Sequence, residues 1–443
     1  MLLSDIIYGI IELHPCLTRI IDTPQFQRLR GLKQLGAVSW VYPSATHTRF
    51  EHSIGVSYLA TRFLNALRAV QSELNITQND IICVSIGGLC HDLGHGPFSH
   101  AFDGEFIKES TWRHEDGSAD MLKWLLINNQ INLEEYGLTI TDMIFINELI
   151  LGSNDKVGRP PEKAFLYDII NNERSGLDVD KLDYLVRDIR MTGIGIGAGI
   201  SSEQIVHMAR VLPDEFGVLT ICFPDKYVGS IFGIFHARAL LHAELYQNSN
   251  VKTIEYMLCD ILRLANPFLP FRSEQTGKDV LIMDSIYDMS VFMRLRDSII
   301  DIIEISNDIR MKPAQDLLTR MRKRDLYILC GTANMNSCVE NASEEIACVI
   351  EPHLHMDDFI VETAHVHHGK GTTNPIDCIR FYSKNDLIKT CFKISEDHCL
   401  GTVMPKQMSA YVTRVYAKKQ AHVSSLTLAF HSWVNKQYMN NIY

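Results

Sequence analysis

Four residues, scattered between positions 52 and 180, constrain this chain more than anything else in it. His52 lies in HTRFEHSIGV (47–56), His91 and Asp92 in GLCHDLGHGPFSH (88–100), and Asp180 in GLDVDKLDYLVRD (176–188). Two imidazoles and two carboxylates suit a hard or borderline divalent ion that keeps positions open for water and substrate. Neighbours on a helix point about 100° apart, so His91 and Asp92 reach one ion only at the end or in a bend of a helix. Gly94, Gly96 and Pro97 follow at once and supply that break.

A length of 443 residues predicts two to three domain-sized units. The 46% hydrophobic and 21% charged content is that of an ordinary globular protein. The net charge of −11 argues against nucleic acid as a partner, because non-specific binding needs a basic footprint. A phosphate site here must be a local basic pocket. The eleven cysteines form no CxxC pair and read as small buried hydrophobes in a reducing compartment. The N-terminal MLLSDIIYGIIELHP is interrupted by Asp5 and Glu12 and has no basic leader, so it does not read as a signal peptide. No apolar run approaches the length of a membrane span. The expectation is an intracellular protein of the nucleus or cytoplasm, with no membrane partner.

Residues 1–13 alternate loosely and predict a short strand or hairpin. Helical spacing begins at His14, with Pro24 restarting a helix at its first turn. Further helices are expected over 50–71, 78–93 (with Thr77 as N-cap), 99–109, 114–129, 141–151, 162–172, 178–190, 201–212, 227–249 and 251–265. Stretches 152–161 and 191–200 read as loops. GIGIGAGI (193–200) follows no strand and lacks GxxxxGK[ST], so it reads as a connection, not a phosphate cradle. After about 310, DLYILCG, EIACVIEP, DFIVETAHV, PIDCIRFYS and LIKTCFKI alternate as half-buried strands do. Helices over 405–420 and 423–439 are expected to close the chain. The predicted class is mainly α: a helical catalytic body over 1–310 and a smaller α+β lobe over 311–443, regulatory or oligomerising.

Around the tetrad stand more chemistry-bearing residues. His95 is i+4 from His91 and shares its face if the helix continues. His100 and Asp103 are spaced i, i+3, and His114 opens the next helix. Histidine is the natural proton donor near neutral pH. Arg49 precedes His52 by three, Lys181 follows Asp180, and Tyr184 is i+4 from Asp180. Arg238, His242 and Tyr246 step along one face of the 227–249 helix. Arg and Lys supply charge-assisted donors to polyanions. Metal, cations and histidines together point to phosphoester or phosphoanhydride hydrolysis.

The H…HD…D order resembles the HD-domain metal-dependent phosphohydrolases. IIDTPQFQRLR (20–30), KQLG (33–36), RFEHSIGVSYLA (49–60), GLCHDLGHGPFSHAFDGEFI (88–107), DVDKLDYLVRD (178–188) and RVYAKK (414–419) are similar to the deoxynucleoside triphosphate triphosphohydrolases among them, and to the catalytic part of the animal branch that also carries a sterile-alpha motif. The resemblance implies hydrolysis of a dNTP at its α-phosphorus, giving deoxynucleoside and inorganic triphosphate. His52, His91, Asp92 and Asp180 would hold iron, manganese or zinc, and Mg²⁺ would arrive with the triphosphate. His100, with Asp103 beside it, is expected to protonate the 5′ leaving oxygen, with His114 as its rival. His95, His114, Arg49, Lys181, Tyr184 and Arg238 would grip the phosphates. Gln34 and Asp188 would bind the 3′-hydroxyl. Leu35 and Tyr246 would pack on the sugar and leave no room for a 2′-hydroxyl.

In the animal branch, nucleotides in regulatory sites assemble a tetramer. The resemblance places a guanine-nucleotide activator (GTP or dGTP) at Asp22, Gln27 and Arg30, with Arg414 and Lys418. A second site keeps Lys226 and Lys384. Gln204, Pro224, Glu244, Asn248 and Ser249 stand there where cations or histidine are expected. The expectation is a homo-oligomer, dimer to tetramer, with the first site partly retained and the second weak. Two rival functions remain at this stage: a nucleotide-sensing or nucleic-acid-binding scaffold, disfavoured by the intact tetrad, and an HD phosphodiesterase or nuclease, disfavoured by Gln34, Leu35 and Tyr246.

Overall fold

The structure, a computed structural model, describes all residues except 109, 153–154, 198–200, 336, 340, 350–353, 384–389, 395–404, 406 and 441–443, and the side chains of 438–440. The chain opens with a hairpin of β1 (Leu2–Asp5) and β2 (Gly9–Glu12), paired Leu2 to Glu12. α1 (Pro15–Ile21) follows, capped by His14, and then α2 (Pro24–Gln27), capped by Thr23. Proline at the first position suits both starts, since its missing N–H is unpaired there in any case.

The central layer is α3 (Arg49–Val70) against α4 (Gln78–Cys90). Each begins in a capping box, Thr48 with Glu51 and Thr77 with Asp80. α4 is buried from Asp80 to Cys90, so it reads as apolar all round and runs through the core. Around this pair lie α5 (His114–Asn128), α6 (Ile140–Leu151), α7 (Val179–Thr192) and α8 (Ser202–Met208). Next come β3 (Arg210–Pro213) and β4 (Leu219–Pro224), then α9 (Val228–Leu241) and α10 (Ser249–Ala265). A small hairpin of β5 (Phe271–Arg272) and β6 (Asp279–Val280) leads to α11 (Met289–Phe292), α12 (Ile299–Ile305) and α13 (Lys312–Arg322). One apolar cluster starts at Ile11, runs through all of this and continues into later elements at Ile376, Phe381 and Tyr416.

The remaining elements are β7 (Ile328–Met335), α14 (Ala342–Val349), β8 (Phe359–His367), α15 (Pro375–Cys378), β9 (Arg380–Tyr382), β10 (Ser409–Ala417) and α16 (Val423–Asn440). β10 is the centre of an antiparallel sheet, ordered β7-β10-β8. A second, smaller core of Cys330, Ile346, Phe359, Val415, Phe430 and Trp433 lies between that sheet and α14 and α16. The class is mainly α with a smaller α+β region.

Several elements depart from expectation. EIACVIEP falls on helix α14 for its described part: Ala342 and Ile346 are buried at i, i+4 spacing, and Glu345 accepts from Trp433 Nε1 at 2.7 Å. A short apolar run does not distinguish strand from helix. The helix expected over 405–420 is instead strand β10, whose β-branched Val412, Thr413 and Val415 suit a central strand. Residues 161–168 form a 3₁₀ helix, and residues 102–106 a π turn in place of a helix over 99–109. The 201–212 helix stops at Met208 and gives way to β3. The body is therefore not all helical. β9 reaches back to pair in parallel with β4.

Candidate active site

Three segments place the tetrad. His52 lies in the first turn of α3 and is fully buried. α4 stops at Cys90, so His91 is its C-cap and Asp92 the first residue beyond. Asp180 is in the first turn of α7, behind the N-cap Asp178. His91 Nδ1 donates to Gly88 O at 2.8 Å, which turns Nε2 into the cleft. His52 Nε2 lies 3.1 Å from Asp180 Oδ1 and 3.6 Å from Asp92 Oδ2. His91 Nε2 lies 3.5 Å from Asp180 Oδ1 and 3.4 Å from Asp92 Oδ1. Donor atoms of His52, His91 and Asp180 all lie within 4.8 Å of one another. His91 Nε2 is buried without a hydrogen-bond partner. This donor set fits a divalent ion.

A second layer orients the first. His52 Nδ1 is bonded to Asp183 Oδ2 at 2.8 Å, the carboxylate–imidazole pairing that fixes a ligand's tautomer. Asp183 is held in turn by Arg187 at 2.8 and 2.9 Å, and Arg187 donates to Asp5 of β1 at 2.9 Å. Gly55, on α3, makes room for this pair: a Cβ there would stand 2.1 Å from Asp183 Oδ1. Burial opposes charge on His52, but Asp180 and Asp183 overcome it and lift the imidazole to about 10. The same field favours a bound cation. Arg49 donates to Asp92 at 2.5 Å and to Ser99 Oγ at 2.9 Å.

Beside the tetrad sits a histidine cluster. The helix does not continue to His95, so the face-sharing expected with His91 fails. A turn carries His95 there instead, its Nε2 3.3 Å from Asp92 Oδ1. Its ring stacks on His114 at 4.0 Å and meets His100 edge-on at 4.9 Å. Gly94 permits this, because a Cβ would stand 2.1 Å from His114 O. His114 Nδ1 is bonded to Asp103 Oδ2 at 2.8 Å, and Asp103 Oδ1 lies 3.9 Å from His100 Nδ1. Burial, then Arg49 and His114, hold His95 well below the usual imidazole range, so it is neutral at pH 7. Against the cost of burial, His100 and His114 keep the Asp103 carboxyl ionised.

Both groups open into one cavity of ≈520 Å³, a size suited to a small ligand. Its far wall is Gln34, Leu35, Val38, Asp188, Tyr246 and Gln247. Asp188 is clamped between His47 Nε2 at 2.7 Å and Tyr246 OH at 2.6 Å. Lys181, Tyr184, Arg238 and His242 line the remaining side. Lys181 is bonded to Asp178 at 2.8 Å, and Arg238 donates to His367 O at 2.9 Å while its Nε has no partner. α9 ends at Leu241 and a π turn follows over His242–Tyr246, so the regular four-residue ladder is interrupted, yet all three of its residues face the cavity. Burial, with Arg238 and His367 nearby, lowers His242 to about 4.

The sequence reading missed His47, Ser99, Asp183 and Arg187, whose partners are remote in sequence. Only the i, i+4 spacing of Asp183 and Arg187 carried a signal. The positions expected to bind a regulatory nucleotide are not gathered within this chain. Gln27 Oε1 accepts from Arg30 Nε at 2.8 Å, and the Arg30 guanidinium lies over the Phe50 ring. Arg414 pairs with Glu362 at 3.2 Å and Lys418 with Asp260 at 2.7 Å. Among the described residues, no hydrogen bond or ion pair joins these two groups. Lys226 is exposed beside Tyr227, and Lys384 lies outside the described residues. No helix among the described residues is long and apolar enough to cross a membrane.

Comparison with known proteins adds to this geometry. The HD domain family matches residues 49–151, which hold three of the tetrad and the histidine cluster. The chain is similar to the deoxynucleoside triphosphate triphosphohydrolase SAMHD1 of Mus musculus, at 38% identity over 94% of this chain and 68% of the mouse protein. The Homo sapiens protein of the same name is 38% identical over 94% of this chain and 70% of its own length. The homolog of Dictyostelium discoideum is 34% identical over 97% and 79%.

Proposed function

The chain belongs to the SAMHD1 family of HD-domain deoxynucleoside triphosphate triphosphohydrolases, and we propose that it hydrolyses dNTPs to deoxynucleoside and inorganic triphosphate, drawing on the pools of the nucleus or cytoplasm. The observation that carries this is the meeting in one cavity of the tetrad, the histidine cluster and the side chains of Gln34, Leu35, Asp188 and Tyr246.

His52, His91, Asp92 and Asp180 would hold a divalent transition ion (iron, manganese or zinc), with Mg²⁺ brought by the triphosphate. When bound, such an ion polarises a phosphoryl oxygen and lowers the pKa of water. The chain's own residues do the rest. Lys181, Tyr184 and Arg238 offer donors to the β- and γ-phosphates. His95, kept neutral, donates a hydrogen bond to the α-phosphate without adding charge beside the ion. As water adds at the α-phosphorus and its bond to O5′ breaks, His100 gives that oxygen its proton. Asp103, whose Oδ1 is buried and unpartnered, stabilises the imidazolium form of His100 that donates this proton and that becomes neutral once it is given. His114 is fixed on Asp103 and positions the dyad. Asp188, oriented by His47 and Tyr246, receives the 3′-hydroxyl with Gln34. Leu35 and Tyr246 occupy the space a 2′-hydroxyl needs. Arg49 serves mainly to orient Asp92 and Ser99, a narrower role than phosphate grip.

Regulation follows the same reading. Asp22, Gln27 and Arg30 of one protomer and Arg414 and Lys418 of another would enclose a guanine nucleotide and drive assembly toward a tetramer. The second site is weak, since the exposed Glu244 repels a triphosphate.

Product identity is the test. The ion-loaded protein should convert dGTP and dATP to triphosphate and deoxynucleoside. Pyrophosphate, monophosphate or no turnover overturns the reading.

A further inference from the structure

Asp297 stands between α11 and α12, outside every segment that lines the cavity, yet it touches two of them. Its Oδ2 accepts from Lys33 N at 2.9 Å, and its Oδ1 accepts from Phe98 N at 2.8 Å. Lys33 directly precedes Gln34 and Leu35 of the sugar wall. Phe98 lies between His95 and His100. The two segments also touch one another: Ser99 Oγ donates to Lys33 O at 2.8 Å, and Gly36, at φ +49, lies so close that a Cβ would stand 2.5 Å from Phe98 O.

The histidine-bearing loop does not hold its shape by local preference. Phe98 and Ser99 both take left-handed φ values, 63° and 57°, which non-glycine residues adopt only where surroundings impose them. Those surroundings are few. The buried Arg28 donates to Leu93 O at 3.2 Å, His95 O at 2.7 Å and Leu295 O at 2.9 Å. The stretch 295–297 therefore grips the loop at both ends, through Arg28 at His95 and through Asp297 at Phe98.

We infer that Asp297 is a positioning residue whose two oxygens hold the sugar wall and the histidine loop in register, so that deoxyribose selection and protonation of the leaving oxygen depend on one carboxylate. This rests on the hydrolysis proposed above. Misplacement of reacting groups by about 1 Å costs on the order of 10²-fold in rate. Asp297 touches no member of the tetrad, so its loss should leave the ion in place.

Asp297→Asn keeps one acceptor and turns an amide N–H toward the other backbone donor; Asp297→Ala removes both acceptors. With dATP and ATP as substrates, the Asn variant should lose about 10-fold in kcat and the Ala variant about 100-fold, with the deoxy-over-ribo preference in kcat/KM narrowing in the same order and metal per chain unchanged. Hydrogen exchange should rise together at 32–36 and 96–100, and not in α4. Unchanged kcat with intact sugar preference, or losses that track metal content, overturn the inference. If the parent releases no triphosphate from any dNTP, the functional reading fails. The exchange measurement then decides alone: joint release of the two segments supports the brace, and release of neither or only one overturns it.

Discussion

The cleft and the proposed nucleotide-binding surface differ in what a single chain completes. In the cleft, polar side chains are held by other polar side chains: His52 by Asp183, Asp92 by Arg49, His114 by Asp103, Asp188 by His47 and Tyr246. Folding of one chain completes that arrangement. The residues proposed to hold a guanine nucleotide form two groups that do not meet within the chain, one over residues 22–30 and one on and just after β10, where Gln27 pairs with Arg30, Arg414 with Glu362 and Lys418 with Asp260. One region is preorganised, which is where electrostatic catalysis gains most. The other, on the reading proposed above, would need a second surface to become a site, and that need would allow it to be switched.

Four measurements test that contrast, in falling order of effect. Asp92→Asn should lower kcat by ~10³-fold or more and empty the ion site while leaving the circular dichroism spectrum unchanged, since it removes one of the two negatively charged donors among the four. Activity retained in that variant would remove the tetrad from the mechanism. Asp183→Asn should weaken ion affinity by about 10–100-fold, read by chelator competition, because it touches only the orienting partner of His52. An unchanged affinity would mean that the second layer is mere packing.

On the other side of the comparison, Asp22→Ala should leave nucleotide-free stability unchanged and raise the GTP needed for assembly by roughly 10-fold or more, the worth of one charge-assisted contact. Size-exclusion with GTP and dATP reads it; assembly at the parental concentration breaks the assignment. The smallest effect is one of pH. Desolvation lifts Asp297 to about 6 against the pull of its two amide donors, above the ordinary value of about 3.9. The native state therefore keeps this proton longer than the unfolded chain does. Stability from this group is present at low pH and lost as pH rises from about 4 to about 6. The unfolding free energy of the parent minus that of Asp297→Asn should fall across that window and stay level above it. A flat difference would mean that the carboxylate is not desolvated.

Much of the helical body was legible because its signals are local. Thr77 before an apolar run and Pro24 after Thr23 mark helix starts by the groups they satisfy. The His-Asp pair demanded a helix end, and α4 stops one residue before it. Non-local relations were hidden. Nothing near His47 or Asp183 in sequence announces Asp188 or His52, 141 and 131 residues away. The strand at 409–417 and the helix at 342–349 were exchanged because each is a short apolar stretch whose conformation is set by its tertiary neighbours. Arg49 matched a phosphate-binding pattern, but no pattern reveals that Asp92 already engages it.

The bond from Arg187 to Asp5 has a consequence for handling and processing of the molecule. It makes the first strand the outermost link of a chain of charges that ends at His52. Clipping of the hairpin by a protease, or a fusion partner that pulls β1 from its place, would take Asp5 from Arg187 and leave it, among the described residues, only Asp183. The loss would then register as a poorer grip on the ion some distance away, so the state of the amino-terminal segment would be an input to metallation.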